Sequence, residues 1–145
     1  MDHDQCVANS FSAGDCGKGV KGNSDLVPIS SLNRDVETYY AKLGLIDGQD
    51  ITVPLIALSE KFLIGNRLGR TLDNDDYICA KHRDRLGVYW HENSRCPFSL
   101  PSKKCSSILR ILPFDLLESN KLVIGTKSCQ THRKKLLGMT FDSFL

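Results

Sequence analysis

The sequence has few aromatic residues and no long apolar run. Aromatic residues make up 8% of the 145 residues, and Trp90 is the single tryptophan. No apolar stretch approaches the roughly 18 residues that suffice to span a bilayer. The first residues are acidic and polar, without the basic and apolar regions of a secretory signal. We therefore expect a small globular protein that is nuclear or cytosolic, is not secreted and does not bind membranes.

Signatures of common enzyme classes are also missing. The segment Gly65–Arg70 is rich in glycine and basic, but it lacks the Lys-Ser/Thr pair of a phosphate-binding loop. No His-x-Glu motif is followed by the Pro-Cys-x2-Cys of a zinc deaminase. His91, Glu92 and Asn93 form a polar cluster that keeps a metal-dependent enzyme open as an alternative. The prediction is that the protein is not an enzyme and takes no small-molecule substrate.

Charge divides the chain into an acidic and a basic half. Residues 1–76 carry 7 Lys/Arg and 12 Asp/Glu, whereas residues 77–145 carry 12 Lys/Arg and 5 Asp/Glu. Residues 1–25 are rich in Gly, Ser, Asn and Asp, so we expect a disordered tail there. Residues 26–76 are predicted as an acidic helical segment that packs on a basic zinc-binding module at 77–145. The predicted helices are 31–43, 53–63, a short one after Cys79 that ends at Gly87, 108–112, 114–119 and 129–137, and the predicted strands are 88–90 and 122–124.

Two segments of the basic half are alike. Each begins with Cys-x2-His-Arg, at Cys79 and at Cys129, and each continues with basic residues, then Leu and Gly. A short apolar segment precedes each one. The pattern indicates an internal repeat, with copies near 51–87 and 107–138. The predicted fold class is therefore α+β: a small zinc-stabilised domain of short helices and short strands with two pseudo-repeated Cys-x2-His elements.

The repeated spacing favours a metal site. A Cys and a His three residues apart can lie on the same side of a turn, and Zn²⁺ prefers thiolate and imidazole ligands in a tetrahedron. Cys79, His82, Cys129 and His132 together offer four ligands. We expect one zinc ion to join the two elements, or two ions to do so with further ligands. Binding free energy would then become folding free energy.

Other ligand sets remain open. Cys96 could replace His82 beside Cys79, Cys129 and His132, whereas Cys105 and His91 are more typical of loop residues than of ligands. Cys6 and Cys16 match no trusted metal pair, so we interpret them as free thiols in the tail. A disulfide-bonded secreted domain is the competing use of six cysteines, and the missing export signal argues against it.

The spacing of the basic half also resembles a known pattern. Ile78-Cys79-x2-His82-Arg83-x2-Leu86-Gly87, then Trp90, Cys96-Pro97 and Cys129-x2-His132-Arg133, is similar to a zinc-module pattern of invertebrate proteins. The resemblance spans residues 77–134 and implies that Cys96 is a ligand. That pattern has no established function, so it implies no activity.

The basic half is predicted to contact a partner. Lys and Arg residues that follow metal ligands at a helix start favour phosphate groups. We expect a nuclear, zinc-dependent interaction module that acts in chromatin or transcription, with DNA or RNA as one partner class. A scaffold subunit that binds only proteins is the alternative. The candidate nucleic-acid contacts are Arg83, Arg85, Arg133, Lys134 and Lys135.

Overall fold

The fold was analysed in a computed structural model, which divides the chain into two compact units. The first unit comprises Met1–Tyr39 and Pro54–His91, and the second comprises Tyr40–Val53 and Glu92–Leu145. This differs from the predicted division at residue 77, which would separate two paired strands. The structure describes residues 6–8, 16–19, 22, 26–47, 50–51, 53–91, 96–98, 105 and 108–142.

The architecture is α+β, as predicted, and is built from short elements. Among the described residues, three pairs of short strands are each antiparallel: β1 with β4, β2 with β3 and β5 with β6. The strands are β1 (Leu26–Pro28), β2 (Ile46–Asp47), β3 (Asp50–Ile51), β4 (Tyr77–Cys79), β5 (Leu109–Ile111) and β6 (Lys127–Cys129). The helices are α1 (Val36–Leu43), α2 (Glu60–Leu68), α3 (Ala80–Leu86), α4 (Phe114–Ser119) and α5 (Gln130–Asp142). Two short 3₁₀ turns cover Ile29–Ser31 and Leu55–Ala57.

The first unit packs α2 beside α3, which follows β4 without a break. Ser59 caps the start of α2 by accepting a hydrogen bond from the Phe62 N–H at 3.1 Å. Gly69 ends the helix with φ of 79°, a left-handed conformation that favours glycine. The apolar core of this unit contains Ile29, Ile64, Leu72 and Ile78, together with Cys6 and Cys79.

In the second unit, α4 lies between β5 and β6 along the chain, and α5 follows β6 directly. Leu112, Leu116, Leu117 and Ile124 are fully buried and supply apolar packing around this strand pair. Helices of six residues and strands of three cannot persist alone in water, so this unit depends on its tertiary contacts. In the described ranges, no helix is both long enough and apolar enough to cross a membrane.

Several predicted elements are shifted or of another type. The helix expected at 31–43 begins only at Val36, and the one expected at 53–63 begins at Glu60. The predicted helix at 108–112 is strand β5, because Leu109 pairs with Cys129 and tertiary pairing overrides local preference. The strands predicted at 88–90 and 122–124 are not strands. The helices expected after Cys79, at 114–119 and after Cys129 are confirmed.

Part of the expected disordered tail is packed. Cys6, Val7 and Ala8 are buried in the core of the first unit, and Cys6 forms a parallel bridge with Tyr77. Residues 16–19 lie against α3, where the Lys81 N–H donates to the Gly17 carbonyl at 3.2 Å. The prediction of disorder is therefore wrong for these residues, because their cysteines take part in a cluster. The rest of 1–25, apart from Gly22, lies outside the described residues.

Candidate metal centres

The first unit holds a cluster of three thiols and one imidazole. Its members are Cys6, Cys16, Cys79 and His82. The His82 Nδ1 lies 3.1 Å from the Cys79 Sγ, 3.5 Å from the Cys6 Sγ and 3.7 Å from the Cys16 Sγ. Three of the four residues are buried, and all the ligand atoms lie within 4.8 Å of one another. None of these three described cysteines is in a disulfide.

Backbone N–H groups point at the sulfurs of this cluster. The Cys79 N–H donates to the Cys6 Sγ at 3.2 Å, and the His82 N–H donates to the Cys79 Sγ at 3.4 Å. Cys79 is the N-cap of α3, so its sulfur accepts at the positive end of the helix. Such donors stabilise thiolates, which are the form of cysteine that binds a metal.

The second unit holds a matching cluster. Its members are Cys96, Cys105, Cys129 and His132. The His132 Nδ1 lies 3.1 Å from the Cys129 Sγ, 3.3 Å from the Cys105 Sγ and 3.6 Å from the Cys96 Sγ. The His132 N–H donates to the Cys129 Sγ at 3.5 Å. Phe98 packs on the imidazole, with ring centroids 5.2 Å apart.

Crowding of the thiols moves their pKa values apart. Burial, together with hydrogen bonding to Cys79 and the nearby Cys6 thiol, raises the pKa of Cys16 to about 12. Burial also raises the pKa of Cys96, although N–H groups of Cys129 and Phe98 oppose this. Burial also acts to raise the pKa of Cys129. Hydrogen bonds from the His132 N–H, the His132 ring and the thiols of Cys105 and Cys96 outweigh it, so the pKa of Cys129 falls to about 7. A divalent cation would relieve the cost of ionising three adjacent thiols.

The two clusters are equivalent parts of a structural repeat. Leu26 pairs with Cys79 as Leu109 pairs with Cys129. One residue past each first strand, the Ile29 N–H donates to the Asp76 carbonyl and the Leu112 N–H donates to the Thr126 carbonyl. Each ligand-bearing strand then leads directly into its helix. The repeat is therefore present in the structure. Its first copy includes the segment around Cys6 and strand β1, and so it begins well before residue 51.

The geometry of both clusters fits a tetrahedral ion. Zinc–sulfur bonds of about 2.3 Å and zinc–nitrogen bonds of about 2.0–2.1 Å place sulfur and nitrogen roughly 3.6 Å apart in a tetrahedron. The observed sulfur-to-Nδ1 distances run from 3.1 to 3.7 Å. Coordination through Nδ1 requires the imidazole tautomer protonated at Nε2. Each cluster is thus a Cys₃His set suited to binding zinc.

The structure groups the predicted ligands differently from the single-ion hypothesis. Cys79 and His82 belong to one cluster, whereas Cys129 and His132 belong to the other. The expected ion shared by the two Cys-x2-His elements is therefore wrong, and so is the alternative set that joins Cys79 to Cys96. Each element finds its two remaining cysteines within its own unit. All five predicted ligands, Cys79, His82, Cys96, Cys129 and His132, lie in a cluster.

Three members of the clusters were missed by sequence reasoning. Cys6 and Cys16 were interpreted as free thiols, and Cys105 as a loop residue, yet all three lie in the clusters. One signal could have found them: Cys6 and Cys16 are ten residues apart, and Cys96 and Cys105 are nine residues apart. The repeat therefore includes a preceding cysteine pair. His91 is exposed and belongs to neither cluster in the described part of the chain.

The predicted nucleic-acid contacts fall into two groups. Arg83 donates from Nε and Nη2 to Glu60 at 2.6 and 2.7 Å, and Arg133 donates from Nε to the Ile111 carbonyl at 3.1 Å. Both side chains therefore make hydrogen bonds inside their own units, and both are half-buried. The other three candidates, Arg85, Lys134 and Lys135, are exposed.

Comparison with known proteins gives no family for this chain. No protein-family model, no curated protein and no solved structure matches it significantly. Function therefore has to be inferred from the clusters and surfaces themselves.

Proposed function

We propose that this chain is a zinc-dependent interaction module in which one ion in each cluster keeps its unit folded. The closed donor sets carry this proposal. Three thiols and one imidazole complete a tetrahedral shell, as in structural zinc sites, whereas catalytic zinc keeps a position for water. Thiolate-rich tetrahedral sets also favour zinc over hard cations such as Mg²⁺ or Ca²⁺. On this proposal the protein is not an enzyme.

Cobalt substitution tests the coordination chemistry. Titration of metal-free protein with Co²⁺ is expected to give the intense visible and near-ultraviolet bands of tetrahedral thiolate coordination, which saturate at two equivalents. Zn²⁺ should then bleach these bands, because it binds such sites more tightly. Weak bands typical of octahedral oxygen coordination, or saturation at one equivalent, would contradict two Cys₃His sites.

We further propose that nucleic acid is the partner and that the protein acts in the nucleus. The second unit carries 10 Lys/Arg against 6 Asp/Glu. Lys134 and Lys135 share an exposed strip of α5 with Gln130 and Thr131, because positions four apart lie on one face of a helix. Neither lysine forms an ion pair with another described residue. Two adjacent exposed lysines on a helix that begins at a metal cluster suit a phosphate backbone.

Charge reversal tests this strip. Lys134→Glu with Lys135→Glu is expected to weaken binding to a duplex DNA or RNA probe and to reduce the salt slope by about two, roughly one per lost phosphate contact. Lys18→Glu with Lys61→Glu makes the same charge change on the first unit and should have a much smaller effect. Fluorescence anisotropy between about 50 and 200 mM salt measures both slopes. Equal effects of the two double variants would reject the strip.

A scaffold that binds only protein is the second candidate. Leu55 and Ile56 are neighbours in the first unit and are 80% and 74% exposed. Ile56 also lines a groove of about 490 Å³ beside α2, together with Phe62 and Leu72. Exposed apolar side chains beside a groove are typical of protein contacts. Nucleic-acid binding that is absent at low salt would favour this candidate.

A further inference from the structure

We infer that the two clusters differ in metal affinity: the first binds its ion tightly, whereas the ion of the second exchanges more readily. We assign Glu60 as a positioning residue of the first cluster. The inference rests on the proposed role as a two-zinc module and concerns how each unit retains its ion. The two sites have the same donor set, so the difference lies in what surrounds them.

Burial separates the two imidazoles. His82 is 0% exposed, and its cluster partners Cys6 and Cys79 belong to the apolar core of the first unit. His132 is only half-buried, as is Cys105, and the Phe98 ring that packs on it is half-buried too. A chelator or a competing thiol therefore has a shorter path to the second ion. Only Cys16 is comparably accessible in the first cluster.

Buried ion pairs anchor the helix that carries His82. The Glu60 side chain is fully buried and accepts two hydrogen bonds from Arg83, the residue after His82. Glu60 also accepts from the Arg34 backbone N–H at 2.9 Å. Asp84, which follows Arg83 in α3, accepts a hydrogen bond from the Arg34 Nη1 at 2.7 Å. Two consecutive side chains of α3 thus attach to other elements by charge-assisted bonds.

The helix that carries His132 has a weaker anchor. Arg133 occupies the place of Arg83, but it donates to a backbone carbonyl and forms no ion pair with another described residue. Lys134 occupies the place of Asp84 and is exposed. Both copies of the repeat therefore have an arginine directly after the histidine. In the first copy this arginine pairs with the buried carboxylate of Glu60. Within the described ranges, release of the second ion therefore breaks no ion pair of the helix that carries His132.

The expected difference follows from the effect of outer-shell partners. Partners that hydrogen-bond a ligand typically change metal affinity about 10–100-fold. Glu60 acts one contact further out, through Arg83, so we expect the low end of that range: the second cluster should hold zinc about tenfold more weakly than the first. The unit with the exchangeable ion is also the one that carries Lys134 and Lys135. Zinc supply would therefore control the proposed nucleic-acid surface while the first unit stays folded. This makes metal exchange a regulatory input.

Chelator-resolved alkylation tests the order of release. The full chain loaded with zinc is equilibrated with increasing concentrations of a chelator, treated briefly with N-ethylmaleimide and mapped by mass spectrometry. The thiols of Cys96, Cys105 and Cys129 should become labelled at a chelator concentration at least about tenfold below that for Cys6, Cys16 and Cys79. Wild-type protein suffices, so the test does not depend on any variant folding.

A charge-removing variant tests the assignment of Glu60. Glu60→Gln keeps the size of the side chain but removes its charge. Because Glu60 acts on the cluster through Arg83, the variant should lower the chelator concentration for labelling the first cluster about tenfold. Labelling of the second cluster should stay unchanged. Glu118→Gln is the matched control, because Glu118 is an exposed acid on α4. An unchanged first cluster in Glu60→Gln would reject the assignment.

The outcomes separate this inference from the function on which it rests. Labelling of both clusters at one chelator concentration, or of the first cluster before the second, would overturn the inequality and leave the two-zinc module standing. Immediate labelling of all six cysteines without chelator would contradict the two-zinc module itself, and the inference with it. The expected stepwise pattern supports both.

Discussion

Removal of both metal ions is expected to unfold both units. A chelator added to the zinc-loaded chain should abolish the dispersion of backbone amide resonances and reduce the helical circular dichroism signal. Structural zinc contributes apparent binding free energies of about 10–16 kcal/mol in small zinc-binding peptides. A native domain is typically stable by only about 5–15 kcal/mol, so loss of its ion would remove most or all of the stability of a unit.

The physical reason is that these elements cannot support themselves. Strands β1, β4, β5 and β6 are each three residues long, and each cluster joins segments that are distant in sequence. Without an ion, four polar ligand atoms per cluster would be crowded together with few partners. Zinc-saturated chelator is the control for nonspecific effects, and excess zinc should restore the spectra. A folded, dispersed spectrum in metal-free protein would show that the ions are dispensable for folding.

Loss of one ligand is expected to release one ion and unfold one unit. Cys79→Ser should reduce the zinc content from two to one and broaden the amide resonances of the first unit. Cys129→Ser should do the same for the second unit, while β4 and α3 keep their resonances. The reason is that each cluster takes all its ligands from its own unit. A serine hydroxyl does not replace a thiolate as a zinc ligand.

Amide spectra and metal content report the two effects independently. Ser128→Ala next to the second cluster is a matched control, since its hydroxyl donates only to the Cys129 carbonyl. That variant should keep both ions. Collapse of the whole spectrum in both cysteine variants would show that the units fold only together. Loss of both ions from either variant would favour a shared site.

The ligand-bearing helices could be predicted from the sequence, because their signals are local. A cysteine that caps a helix and a histidine three residues later are close in space whatever surrounds them. The duplication of this element at Cys79 and Cys129 indicated two copies of one structure. The exposed Lys134 and Lys135 follow from the same local pattern.

The pairing of ligands could not be predicted, because it is set by distant contacts. Cys6 lies 73 residues from Cys79, and its polar, glycine-rich surroundings gave no sign of a core. The strand at Leu109 likewise exists because β6 is beside it. Local preference favoured a helix at 108–112. The segment forms a strand because Leu109–Ile111 pairs with Lys127–Cys129.

The role of Arg83 was hidden for a similar reason. Its basic neighbours indicated a phosphate contact, but its partner Glu60 lies 23 residues away on another helix. A buried carboxylate that holds an arginine cannot be identified from composition, because isolated charges are almost always exposed. Arg133 is the equivalent arginine of the second copy, and it donates a hydrogen bond to a backbone carbonyl instead of a carboxylate.

Native mass spectrometry of the purified chain tests the central claim most directly. The account predicts a mass that exceeds the fully reduced, metal-free chain by two zinc ions, with all six thiols unreactive to alkylation until metal is removed. A mass with one ion per chain after saturation with zinc would contradict two separate sites. A metal-free mass lowered by disulfide formation would contradict the metal clusters altogether.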